Sequence, residues 1–248
     1  MKQAIFNKMN FTPTYDDAND ERASYLGISI KTIVLLLVMI GSAAASMLLL
    51  SRITSEDVLG IYLSVLFVAL IASVITSLMC VSERLSLVAG FIFSISTGVL
   101  LGAISKLLEL VIPGISILAV ISTLVVFLVV YLLFSTGVLR ATSKLFAALI
   151  SILGCAMALG LVTFFMSFFF DYGELLPVLI LIQAFYVLYG SISLIYNFED
   201  AKMHVDAGLS KRSEWQVAFG FIITIYYIYI EILRLLMYIL PYIIKAKK

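Results

Sequence analysis

The chain has 248 residues, 63% hydrophobic and 12% charged, with a mean hydropathy of +1.16 and a net charge of +1. Soluble domains are roughly half apolar and about a quarter charged, so this composition excludes a water-soluble globule. Without a basic excess there is nothing to neutralise phosphates, which excludes a nucleic-acid partner; the apolar content equally excludes a disordered chain. The expected class is an all-α integral membrane protein whose main partner is the lipid bilayer.

A bilayer core of ~30 Å needs about 20 apolar residues as a helix. Charged residues bracket seven such stretches, near 32–50, 58–81, 87–104, 113–139, 145–170, from Pro177 to before Glu199, and 215–240. The runs are too long and continuous for the alternating, roughly ten-residue strands of a membrane barrel. Residues 1–30 then form a polar tail, 31–244 a single transmembrane domain of antiparallel neighbours, and 245–248 a basic tail. The acidic start, with Asp16, Asp17, Asp20 and Glu21, does not read as a cleavable signal peptide.

Lys and Arg bias sets orientation. Lys2, Lys8, Arg22, Lys31, Arg84, Arg140, Lys144, Lys202, Lys211 and Arg212 fall on the side of the N-terminus, which is therefore expected to be cytoplasmic in a bacterial plasma membrane. Lys245, Lys247 and Lys248 fall opposite if the last stretch crosses fully. Cys80 and Cys155 lie in apolar stretches and read as small hydrophobes, not as a metal site or disulfide.

The most polar internal stretch runs from Asn197 to Gly208 and includes Glu199, Asp200, His204 and Asp206. It reads as the end of helix six at the water boundary, stopped by Gly208 in a left-handed turn, with His204 in or near the loop. Ser213 and Gln216 then form a capping box for helix seven, with Trp215 at the headgroup level. Only the seventh span carries internal charge, Glu231 and Arg234. An acid deep in a span costs ~3 kcal/mol or more to insert, so it is turned inward and paired. Arg234, three residues on, shares its face. The pair is either an internal neutralisation that makes the helix insertable or a titratable group beside a polar path. Counted from the loop, Glu199 and Glu231 differ in height by ~12 Å. Gly98 and Gly102 form a small-x-x-x-small helix contact.

The runs Asp206-Ala207-Gly208-Leu209-Ser210-Lys211-Arg212-Ser213-Glu214-Trp215, Ala218-Phe219-Gly220 and Tyr229-Ile230-Glu231-Ile232-Leu233-Arg234-Leu235-Leu236 are similar to the C-terminal signature of the bacterial branch of the Bax-inhibitor-motif membrane proteins. Leu101-Gly102-Ala103-Ile104-Ser105, Ile112-Pro113-Gly114-Ile115 and Ser135-Thr136-Gly137 with Arg140 resemble its third and fourth helices. The resemblance implies seven helices, the last central and wrapped by the first six, and a proton-sensitive calcium leak. It assigns Glu231 to the acid of the last helix and Arg234 to the base after it. The acid pattern of helix six falls on Asn197 and Glu199, of which Asn197 cannot titrate. An acid before the glycine of helix three is replaced by Thr97.

The expected function is thus a pH-sensitive leak with Ca²⁺ as permeant ion, no bound cofactor, and Glu231, Glu199, Asn197, Asp200, Arg234 and Thr97 along or near the path. The alternative is a non-transporting membrane regulator with membrane-protein partners that has lost the ion-coordinating acids. An enzyme is not expected: a serine protease needs a histidine at membrane depth, and the chain has neither a His-Glu-x-x-His zinc motif nor a phosphate-binding glycine loop.

Overall fold

The computed structural model describes residues 22–246 apart from 53–55, 80–84, 167 and 169–171. Most of the polar N-terminal tail lies outside the described residues, as do Cys80, Arg84, Lys247 and Lys248. Seven helices follow one another: α1 Tyr25–Ser51, α2 Glu56–Leu78, α3 Ser86–Val111, α4 Ile115–Ser135, α5 Ser143–Met166, α6 Tyr172–Asp206 and α7 Ser213–Ala246. Among the described residues, six of them are long and apolar enough to cross a membrane, and α2 contributes the shorter apolar run Tyr62–Leu78. The all-α membrane architecture is therefore as the composition demands.

Several boundaries differ from the charge-bracketed spans for local reasons. The first helix begins at Tyr25 instead of near residue 32, because Ser24 caps it by accepting the Gly27 N–H at 3.0 Å. Pro177 and Pro241 lie inside α6 and α7. In lipid an unwound segment would leave further backbone groups unpaired, so the helices run through these prolines. At the other end of α6, Gly208 takes φ 62, and Gly208 N–H and Leu209 N–H donate to the carbonyls of Val205 and His204. This is the left-handed stop read from the sequence. Ser213 is the first residue of α7, and its hydroxyl donates to the Ser210 carbonyl at 2.8 Å.

The last helix packs against α1, α3, α4 and α6, while α2 stacks on α3 and α5 on α6. The interior is shared by α3 and α7: 56% and 44% of their most apolar stretches are buried, against 17% for α4 and 11% for α5. So α7 is interior but its main neighbours are four helices, not six. One core cluster joins α4, α6 and α7 through Ile115, Ala119, Leu194, Ile195, Ile228 and Leu233. The other joins α1, α3 and α7 through Leu35, Met39, Phe93, Phe219 and Ile222.

Helices α1 and α3 approach closely where Gly98 and Gly102 lack side chains. A methyl group at Gly98 would collide with Ser42 Oγ and the Met39 carbonyl, and one at Gly102 with the Ala43 carbonyl. The proximity permits hydrogen bonds between the helices, from Ser42 to the Ser94 carbonyl at 3.3 Å and from Ser46 to the Val99 carbonyl at 2.9 Å. Small residues and hydroxyl groups at a helix contact are what lipid-embedded packing relies on, since lipid chains give no hydrophobic drive between helices.

The 21 residues of α4 span ~31 Å, the thickness of one bilayer core. Its C-terminal loop is tied to α6 where Tyr196 Oη donates to the Thr142 carbonyl at 3.0 Å. Beyond Tyr196, α6 continues to Asp206 and projects ~15 Å past that level.

Candidate functional site

Glu231 sits on the third quarter of α7, 5% exposed, within the bundle. Its carboxylate has two partners. Gln183 of α6 donates through Nε2 to Glu231 Oε2 and also to the Glu231 backbone carbonyl, the latter at 3.2 Å. On the other oxygen, Arg234 Nη1 lies 3.5 Å away, one turn along the same helix. The Arg234 side chain is 56% exposed, so the pair runs from the interior to the surface of the bundle. Close by, Tyr227 meets the Tyr189 ring edge-on at 5.7 Å, and Gly190 leaves room for Tyr227 and Ile228.

Depth follows from the helix register. Thr224 of α7 faces Asn197 of α6, which is next to the level set by Thr142 and Tyr196. Counting seven residues on along α7, or fourteen back along α6 to Gln183, places Glu231 about 10–20 Å further in, near the middle of a ~30 Å core. Both partners of the carboxylate are hydrogen-bond donors. That environment holds an anion and does not present the six to eight oxygens that Ca²⁺ takes. Among the described residues no group of three or more His, Cys, Asp or Glu side chains could hold a metal ion.

The remaining sequence-derived candidates are dispersed. Asn197 links α6 to α7: its Nδ2 donates to Thr224 Oγ1 at 2.6 Å and to the Gly220 carbonyl at 3.2 Å. This bridge is uncharged. Thr97 is fully buried, and its hydroxyl donates to the Phe93 carbonyl of its own helix at 2.6 Å, beside the glycine contact with α1. Asp200 belongs to the projecting end of α6, where His204 Nδ1 lies 2.8 Å from its carbonyl and 3.3 Å from Oδ1. His204 is thus a helical residue, 6% exposed, and not a loop residue.

Glu199 also lies on that end, next to Phe198, whose ring meets Phe221 of α7 at 5.0 Å. From that register Glu199 and Glu231 are separated by ~16 Å along the helices. The gap exceeds the ~12 Å counted from the sequence because α6 ends at Asp206, nearer to Glu199, and α7 starts at Ser213, further from Glu231. The two carboxylates therefore share no proton.

Sequence reasoning missed Gln183 and Thr224. Gln183 carried a usable signal, an amide in an otherwise apolar stretch of α6, since an intramembrane polar side chain needs a partner. A third missed feature lies at the start of α7. Glu214, fully buried, accepts the Ser24 N–H at 2.8 Å and the Ser24 hydroxyl at 3.2 Å, and pairs with Lys31 at 2.6 Å. Lys31 also donates to the Lys211 carbonyl at 2.8 Å and lies 5.1 Å from the centre of the Trp215 ring. Ala23 N–H to the Leu209 carbonyl at 2.8 Å and a bridge between Arg22 and Ser210 complete a clasp of the chain start on the α6–α7 loop. Trp215 packs on Phe91 within this cluster, ring centres 5.8 Å apart.

No curated protein and no solved structure matches the chain. The sequence model described as Bax inhibitor 1 like matches residues 3–240, nearly the whole chain and all seven helices to within a few residues of the end. With that coverage, the seven-helix membrane protein belongs to the Bax inhibitor 1 like family.

Proposed function

We propose that this protein is a proton-sensitive cation leak, with calcium as the permeant ion and Glu231 as the titratable group that governs it. The reading rests on one observation: a carboxylate near the middle of the bilayer core is held across helices by Gln183 and tied to an arginine exposed at the bundle surface. An ionised acid at that depth is retained only with such partners. Adding a proton to Glu231 removes its attraction for Arg234 and weakens the bond from Gln183, loosening α7 from α6. In this reading the donor-rich surroundings support a gating role for Glu231, with ion coordination left to the opened state. The protein works in a plasma membrane with its N-terminus cytoplasmic, where the clasp on Glu214 and the projecting ends of α6 and α7 also lie.

Calcium entry into proteoliposomes, measured across a pH series, tests this. Wild type should carry flux that changes with pH, and Glu231→Gln should carry flux that does not. Equal flux from both proteins at every pH, or none above empty vesicles, would end the proposal.

A second reading, a non-transporting membrane regulator, is favoured by the Asn197–Thr224 bridge, which is uncharged where the family resemblance leads one to expect an acid. It requires absence of flux together with a membrane protein that co-purifies stoichiometrically. Crosslinking in membranes that returns only the chain itself would count against it.

A further inference from the structure

An apolar groove of ≈ 320 Å³ opens between α4 and α6 toward the bilayer, lined among others by Val125, Val129, Leu133, Leu139, Leu188 and Ile192. The only polar side chain in its wall, Ser191, spends its hydroxyl on the Val187 carbonyl at 2.9 Å. The wall therefore has nothing to offer water, and in a membrane an apolar furrow of this kind is filled by hydrocarbon.

What distinguishes this furrow is its end. Gly137 takes φ 74, and Leu139 N–H donates to the Leu133 carbonyl at 3.1 Å, which folds Leu139 back against α4 as the end wall. Two of the residues that follow are cationic. Arg140 follows directly and lies over Gly137, and Lys144 stands in the first turn of α5. Both are exposed, and no described acidic side chain pairs with either. Tyr196 holds the Thr142 carbonyl at 3.0 Å, so this basic loop is pinned to α6 one residue past the groove wall at Ile195. The level is that of the membrane surface, because α4 ends there after one bilayer thickness.

We propose that this groove is a binding site for an anionic phospholipid, with one acyl chain along the α4–α6 furrow and the phosphate held by Arg140 and Lys144. Charge and apolarity are arranged in the order in which a phospholipid presents them: cations at the headgroup level, hydrocarbon wall below. Arginine can hold two phosphate oxygens at once, lysine adds a point charge, and the start of α5 contributes a favourable dipole. The inference does not depend on ion transport.

Native mass spectrometry of the full chain in detergent, titrated separately with phosphatidylglycerol and phosphatidylcholine, tests it. Wild type should retain phosphatidylglycerol roughly thirtyfold better than phosphatidylcholine, the gain expected from two cations at an anionic headgroup. Arg140→Gln with Lys144→Gln should abolish that preference. Ile192→Trp, which fills the furrow and leaves the cations in place, should reduce retention of both lipids; Val129→Trp provides an independent filling variant. Circular dichroism identifies any variant that fails to fold. Equal retention of both lipids by wild type would overturn the headgroup assignment. Undiminished retention in both folded tryptophan variants would overturn the groove and leave only unspecific surface attraction.

Discussion

Glu214→Ala should unfold the bundle at a markedly lower temperature. The wild-type carboxylate is fully buried and accepts two hydrogen bonds from Ser24 while pairing with Lys31 at 2.6 Å. Its removal leaves the Ser24 N–H without this acceptor and the Lys31 ammonium, whose side chain is 13% exposed, without a counter-charge. Breaking a buried pair by deleting one partner costs ~3–5 kcal/mol. Lys31 keeps the Lys211 carbonyl, the face of Trp215 and some water, which lowers the expected loss to ~2–4 kcal/mol. At ~2–4 °C per kcal/mol for a chain of this size, the midpoint should fall by about 5–15 °C. The assay is built in, because Trp215 is the single tryptophan and stands beside the cluster. Its emission during a thermal ramp in detergent reports the clasp directly. The double variant Lys31→Met with Glu214→Leu removes both charges together and should recover much of the loss. A Glu214→Ala midpoint within about 2 °C of wild type would refute the reasoning, since even the lower bound predicts more.

Other outcomes follow from the same contacts. Gly98→Ala should destabilise by ~1–2 kcal/mol, the upper ~2–3 kcal/mol of overpacking, as for a methyl driven against the rigid Met39 carbonyl of α1, less the ~1 kcal/mol gained in helix propensity. Gly41→Ala on the same α1 helix, with nothing within 4 Å of the added methyl, should instead stabilise by ~0.5–1 kcal/mol; thermal midpoints of the two variants should move in opposite directions. Asn197→Leu removes the α6–α7 bridge and should cost ~0.5–1.5 kcal/mol, the range of hydrogen bonds between helices in lipid, read by the same ramp. Gln183→Leu leaves the Glu231 carboxylate with Arg234 alone and should cost ~1–3 kcal/mol. That loss should shrink when Glu231→Leu is added, a coupling measured by the double-mutant cycle.

The class, the seven helical stretches, the stop at Gly208 and the close contact at Gly98 and Gly102 were all legible in the residues alone. Each is a local property: a run of apolar residues as long as the bilayer is thick, a residue tolerant of positive φ, a missing side chain repeated after four residues. The sequence also singled out Glu231 and Arg234, because charge inside a span is rare and their spacing of three puts them on one face. Long-range packing was needed to reveal that Gln183 completes the Glu231 site, that Glu199 lies ~16 Å from it along the helices, and that α3 shares the interior with α7. It alone brought Ser24 to Glu214, 190 positions apart in the chain. The reason is physical. Lipid is as apolar as a leucine side chain, so hydropathy marks which segments enter the bilayer but not which face of each turns inward. Those choices are made by steric fit, by a handful of hydroxyl, amide and charged groups that must find partners, and by the register in which long helices settle against each other.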